Sequence, residues 1–150
     1  MTQSIQRTRA CAVCVSAGHL LCVELRDPDT CIAHLFPPGG AIEPGEAAAA
    51  AALRETMEET GYLVRLQPRA PVIARYPYTW NGQPFDITTH FFAVELVDPH
   101  ASPSPVRDAD YVEAAHWVEL SQVPRALGFN RDILAAVLAL LQPLRTDTGT

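Results

Sequence analysis

GGAIEPGEAAAAAALRETMEETGY, residues Gly39–Tyr62, is the stretch on which the reading turns. Pro44 and Gly45 break the chain, and Glu46–Thr60 is then built from strong helix formers: six consecutive alanines, Leu53, Met57 and glutamates. Gly61 stands where a glycine commonly stops a helix. At about 100° per residue, Glu55, Glu58 and Glu59 share one arc. Ala48, Ala51 and Ala52 fall on the same side, and Leu53 and Met57 fall opposite, as the expected core face. Like charges at such spacings cost about 0.2–0.5 kcal/mol per pair in an isolated helix. A merely solvated face would interleave bases four residues away, and only Arg54, set to meet Glu58, does so. A hard divalent cation offsets the repulsion, because Mg²⁺ takes oxygen ligands, commonly a few carboxylates plus substrate phosphates. The alanines would then leave room above the helix for metal, water and a phosphate chain.

The rest of the composition sets bounds. A chain of 150 residues with 48% apolar content suits one soluble domain with a real core. Its net charge is −6 and its 11 basic residues are all arginine, which argues against a nucleic-acid polymer as partner. A small nucleotide, held by a few local arginines or a cation, remains open. Cys11, Cys14, Cys22 and Cys31 invite a metal or redox reading. Cys11 and Cys14 sit in an apolar strand, however, where residues three apart face opposite sides. Buried reduced thiols in a cytoplasmic protein are the expectation. Arg7 and Arg9 followed by an apolar run loosely mimic a signal peptide, but Ser16, Gly18 and His19 interrupt it. No stretch is long enough to span a membrane as a helix.

Along the chain, a hairpin is predicted from strands near Arg9–Val15 and Leu20–Leu25, then a polar loop at Arg26–Thr30 and a short strand at His34–Phe36. Pro37–Gly40 should break regular structure. Extended segments follow at Leu63–Leu66, Pro71–Trp80 and Thr88–Leu96, with a turn at Asn81–Pro84. Val97–Asp110 reads as a loop, Ala114–Leu120 as a last strand and Asn130–Leu141 as a closing helix. Flexible tails are expected at Met1–Thr8 and Arg145–Thr150. The mixture lacks a regular strand–helix alternation, so a mixed sheet flanked by helices is predicted.

Gly40, Glu46, Arg54-Glu55, Glu58-Glu59 and Gly61-Tyr62 together resemble the signature of the Nudix (MutT-like) hydrolases, G-x5-E-x7-R-E-U-x-E-E-x-G-U, with U a bulky apolar residue. Every fixed position matches, while Thr56 departs from the pattern at one U position. The resemblance implies an α/β (α+β) fold, a Nudix α/β/α sandwich with the mixed sheet between helices, occupying residues 1–150 as one domain. It implies Mg²⁺, with Mn²⁺ as the alternative, on Glu55, Glu58, Glu59 and the Gly39 carbonyl. Glu55 would complete the metal cluster or act as base, and Arg54 would orient Glu58 or Glu59. Gly40, Glu46 and Gly61 would be structural, Glu46 bracing the junction of loop and helix. The implied reaction is water attack at phosphorus in a nucleoside diphosphate linked to another moiety: ADP-ribose-like, a dinucleoside polyphosphate or a (d)NTP. A nucleotide-binding sensor without catalysis is the alternative, although such domains usually lack some of these carboxylates. Homodimers are common in the family.

The substrate is less legible. Tyr76–Trp80 is an aromatic cluster on which a base could stack, Tyr78 above all. Pro77 and Tyr78 stand side by side where family members that cleave ADP-ribose and dinucleoside polyphosphates carry one or the other. Arg26 and Arg75 are candidate phosphate ligands, each equally readable as a surface residue. Asn130 is either a base-reading residue or a helix N-cap. Asp108, Asp110 and Glu113 are candidates for a further metal carboxylate.

Overall fold

The computed structural model describes residues 3–106 and 112–143, with the side chains of all of these except 112–114. β1 (Ile5–Ser16) and β2 (His19–Arg26) form the predicted first hairpin, closed by Ala17 and Gly18 at φ of 49° and 77°. β1 starts earlier than expected. Ile5–Thr8, expected in a flexible tail, pair in parallel with Phe85–Thr88, so the terminus is tied down as a strand. β3 (Ala33–Phe36) follows the polar loop as predicted. The break expected at Pro37–Gly40 is shorter, because Gly39–Ala41 form β4 against β1. Next come α1 (Ala48–Thr60), β5 (Val64–Leu66), β6 (Val72–Trp80), β7 (Gln83–Leu96) and β8 (Val112–Glu119). A 3-10 turn at Leu120–Gln122, α2 (Val123–Ala126) and α3 (Arg131–Leu141) complete the described chain.

Among the described residues, the strands form one mixed sheet of eight, with the path β3-β2-β1-β7-β5. β4 adds to β1, β6 to β7 and β8 to β2. β1 and β7 run parallel from Ile5 and Phe85 to Cys14 and Val94. β1 and β2, in contrast, pair only at the hairpin tip, Val15 with Leu20 and Ser16 with His19. Away from the tip they part, and β4 takes the freed edge of β1, Cys11 opposite Gly39.

Strand alternation sorts the core into two layers. Cys11, Val13, Ile87, Phe91 and Ala93 pack with Ile133, Val137 and Leu140 of α3. Ala12, Cys14, Val94 and Leu96 point the other way, toward Leu53 of α1, Tyr62 and Trp117. With a helix on each face, the architecture is the α/β/α sandwich expected. Cys11, Cys14 and Cys22 are buried free thiols, and Cys11 and Cys14 lie in opposite layers. Among the described residues no helix is long and apolar enough to cross a membrane.

The face that α1 buries differs from the prediction. Its buried residues are Ala51, Ala52, Thr56, Glu59 and Thr60, and Leu53 and Met57 are only partly covered. Ala51 and Ala52 are 0% exposed and pack with Ala10, alongside Ile42 and Phe92. The alanines therefore do not clear an approach from solvent. They let the helix backbone come close to β1, where a larger side chain would hold it off. Thr56, the departure from the family pattern, is buried and donates its hydroxyl to the Ala52 carbonyl at 2.7 Å, so its polar atom is satisfied within the helix. Tyr62 packs edge-on to Trp117 and accepts its indole N–H at 3.1 Å.

Candidate active site

The close approach of α1 sets the geometry of the carboxylates. Glu59 is 9% exposed, and its Oε1 accepts the backbone N–H of Gly39 at 2.8 Å. The Glu55 carboxylate lies so near Gly40 that a Cβ on residue 40 would collide with it. A side chain at position 40 would therefore displace the Glu55 carboxylate. Just beyond Glu59, at the C-terminus of α1, Gly61 has φ 75°, closes the helix with its N–H on Met57, and accepts the N–H of Ser104 at 2.8 Å. Glu58 points outward, its side chain 56% exposed.

Arg54 ties the middle of α1 to the segment ahead of the helix. Its Nε and Nη2 donate to Glu46 at 2.7 and 2.9 Å, a bidentate pair. Its Nη1 donates to Glu55 at 3.0 Å and to Glu58 at 3.2 Å. Arg54 thus orients Glu55 and Glu58, and no bond links it to Glu59. Glu46 also accepts the Glu43 N–H at 3.1 Å, in the loop ahead of the helix. Arg54 holds Glu46 near the bottom of the carboxylate range, at about 2, chiefly by hydrogen bonding. Burial pushes Glu59 up to about 8, against the opposing Gly39 N–H and with added repulsion from Glu55. Burial also raises Glu55, opposed by its bond to Arg54.

Glu55 and Glu59 face a cavity of about 270 Å³ together with Gly39, Gly40 and Ala41. Its other walls are Arg7 and Arg9 of β1, Leu25 and Phe36 of the β2–β3 arm, and Tyr78, Trp80, Phe85 and Ile87 of the β6–β7 hairpin. Arg9 donates to the Gly39 carbonyl at 3.3 Å, and the Arg7 guanidinium stacks over Phe85 at 4.9 Å. Phe36 meets Tyr78 edge-on at 6.1 Å and Phe129 at 5.1 Å.

Several predicted site residues lie elsewhere. Arg26 donates to the Cys31 carbonyl at 2.6 Å within its own loop and does not line the cavity. Arg75 is exposed on the outer face of β6, the strand whose inner face carries Tyr76 and Tyr78. Asn130 caps α3, its Oδ1 accepting the N–H groups of Asp132 and Ile133 at 3.0 and 3.1 Å. Asp108, Asp110 and the Glu113 side chain lie outside the described residues. As the flank of an apolar run, Arg7 and Arg9 do not stand out in the sequence as site residues. The signal was present: Arg7, Arg9, Cys11 and Val13 share one strand face.

The donors available are carboxylate and peptide-carbonyl oxygens, the set that suits a hard divalent cation. A cation beside Glu59 would relieve the charge that burial disfavours there. Among the described residues, no three His, Cys, Asp or Glu side chains converge in metal-holding geometry, and Arg54 lies across Glu55 and Glu58. The residue types fit a metal, and the carboxylates keep acceptor capacity beyond their bonds to Arg54 and Gly39.

The family described as NUDIX domain matches residues 5–137. The chain belongs to the Nudix family. An RNA pyrophosphohydrolase of Erythrobacter litoralis is 33% identical over 124 residues, covering 67% of this chain and 69% of that protein. A Nudix hydrolase from Nitrosomonas europaea is 25% identical with a TM-score of 0.60, covering 91% of this chain and 86% of that one. A C. elegans Ap4A hydrolase shares the fold at 18% identity, with a TM-score of 0.65 over 89% of this chain and 95% of that one. This Nudix protein is accordingly a hydrolase acting on pyrophosphate bonds, in a family that generally uses divalent metals.

Proposed function

We propose that this Nudix hydrolase, residues 1–150 acting as one cytoplasmic domain, is a Mg²⁺-dependent pyrophosphohydrolase of a nucleoside diphosphate linked to a second moiety. One observation carries the reading: a single cavity brings Glu55 and Glu59 together with Arg7, Arg9 and an aromatic wall of Phe36, Tyr78, Trp80 and Phe85. Carboxylates serve a cation, guanidiniums serve phosphate oxygens, and aromatic faces serve a base.

Glu58, Glu59 and the Gly39 carbonyl would hold the metal. When bound, it supplies positive charge to the pyrophosphate oxygens and makes a nearby water more acidic. The protein's own groups do the rest. Arg7 and Arg9 bind the phosphate chain from the β1 side. The aromatic wall orients the nucleoside and excludes water. Glu55 takes the proton of the attacking water. The water oxygen bonds to phosphorus, the anhydride P–O bond breaks, and two phosphorylated products leave.

The test is Mg²⁺-dependent product release from ADP-ribose, diadenosine polyphosphates, dNTPs, oxidised dGTP and a 5′-triphosphorylated RNA. The RNA belongs in the panel because of the name carried by the Erythrobacter relative. One substrate turned over far faster than the others, and lost in Glu59→Gln, is the expected result. Nucleotide binding without product on any of them would overturn the reading in favour of a sensor.

A further inference from the structure

The cavity walls come from two arms that share no strand pairing. Leu25 and Phe36 belong to β2 and β3, whereas Tyr78, Trp80 and Phe85 belong to the β6–β7 hairpin. The hairpin tip is bound to the opposite arm through Asp27. One oxygen of this carboxylate, Oδ1, accepts the Asp29 N–H at 2.8 Å and the Asn81 N–H at 3.1 Å. Asp29 lies in the same loop, and Asn81 is the first central residue of the hairpin turn, immediately after Trp80. The loop around Asp27 is itself closed, since Asp27 donates to the Ile32 carbonyl at 3.0 Å and accepts the Cys31 N–H at 2.8 Å. Asp27 is 9% exposed, and a carboxylate buried to that degree is costly unless it is hydrogen-bonded.

We propose that Asp27 is a positioning residue for the nucleoside: by holding the Asn81 N–H it fixes the hairpin tip over the β2–β3 arm and sets the width of the aromatic slot. This rests on the cavity being the substrate site. The phosphate-binding end, with Glu55, Glu59 and Arg9, lies on β1, β4 and α1 and does not depend on the bridge. Loosening Asp27 therefore weakens the grip on a base and leaves the grip on a pyrophosphate group alone.

Asp27→Ser separates the two bonds. The shorter hydroxyl still closes the local turn on the Asp29 N–H, as serine does in such turns, but no longer reaches Asn81. Asp27→Asn keeps an Oδ1 acceptor. Calorimetric titration with ADP and with inorganic pyrophosphate, in one Mg²⁺ buffer, should show Asp27→Ser binding ADP about tenfold more weakly with pyrophosphate unchanged. Asp27→Asn should match wild type on both. Equal ADP affinity in Asp27→Ser and wild type overturns the proposal, as does parallel loss of both ligands or failure of Asp27→Asn to restore ADP binding. Tyr78→Ala serves as the control for the site. If wild type binds no ADP, or binds it no better than Tyr78→Ala, the cavity reading itself falls and the role of Asp27 falls with it.

Discussion

α1 and α3 cover opposite faces of the same sheet and are anchored in opposite ways. α3 buries Ile133, Ala136, Val137 and Leu140, an apolar stripe at helical spacing, and is capped by the Asn130 side chain. α1 buries Ala51, Ala52, Thr56, Glu59 and Thr60, and no side chain caps its start. α3 is held by apolar volume. α1 is held by close backbone approach and by polar contacts, Glu59 on Gly39 and Arg54 on Glu46. Among the described residues, α1 lines the cavity of about 270 Å³ and α3 does not. Burial on α3 fills the apolar core, whereas on α1 the same packing places the carboxylates.

The largest effect should come from the α1 residue that belongs to both core and site. Glu59→Gln keeps an acceptor for the Gly39 N–H, so the fold should survive. The cation site loses a charged ligand, and turnover should fall about 10³-fold or more, measured as kcat across a Mg²⁺ titration. Retention of a tenth of wild-type activity would show that Glu59 is only a core residue. The metal-free protein offers a second check. The native carboxyl titrates at about 8 rather than the ordinary 4.5, so between those values the native state binds more protons than the unfolded chain. Stability contributed by this group is present below about pH 4.5 and is lost as pH rises through about 8. Metal-free wild type should therefore melt lower at pH 8 than at pH 5.5, and Glu59→Gln should lack that component. Mg²⁺ should restore the wild type at pH 8 by binding the folded state.

The matching cut on α3 should behave differently. Leu140→Ala removes a side chain 6% exposed and should cost about 3 kcal/mol in denaturant unfolding, with kcat and KM unchanged. A large kcat defect here would mean that α3 supports the chemistry after all. Ala52→Leu sharpens the contrast from the α1 side. Overpacking against Ala10 should cost about 2 kcal/mol, and it should also lower kcat, because α1 must move away from Gly39 and Gly40. If Ala52→Leu loses stability alone, the close approach of α1 is packing without catalytic meaning.

These contrasts show what was legible in the chain. Glu55, Glu58 and Glu59 stood out as candidates because they lie on one continuous helix with fixed periodicity, which Gly61 ends. The orientation of that helix could not, because a run of alanines has no preferred face. The helix wheel pointed Leu53 and Met57 inward, whereas the narrow gap beside β1 selects the smallest side chains and turns Ala51 and Ala52 inward instead. Arg7 and Arg9 were hidden for another reason: their role depends on β1 reaching back to Ile5 to pair with Phe85, a contact 80 residues away in sequence. Asp27 is harder still, since nothing local distinguishes an aspartate that closes its own loop from one that also holds Asn81.

The smallest effect bears on a residue with two readings. Asn130 precedes α3 and was a candidate for reading a base. Its Oδ1 already accepts two backbone N–H groups at the helix start, and the cavity is lined without it. Those N–H groups have no partner within the helix, so the side chain satisfies donors that would otherwise rely on water. Asn130→Ala should cost about 1 kcal/mol, the ordinary value of an N-cap, and Asn130→Asp should recover it. kcat/KM for adenine and guanine substrates should stay in the wild-type ratio in both variants. A change in that ratio, at unchanged stability, would move Asn130 from the α3 layer into the site. It would also end the division of labour between the two helices, because both would then serve the substrate.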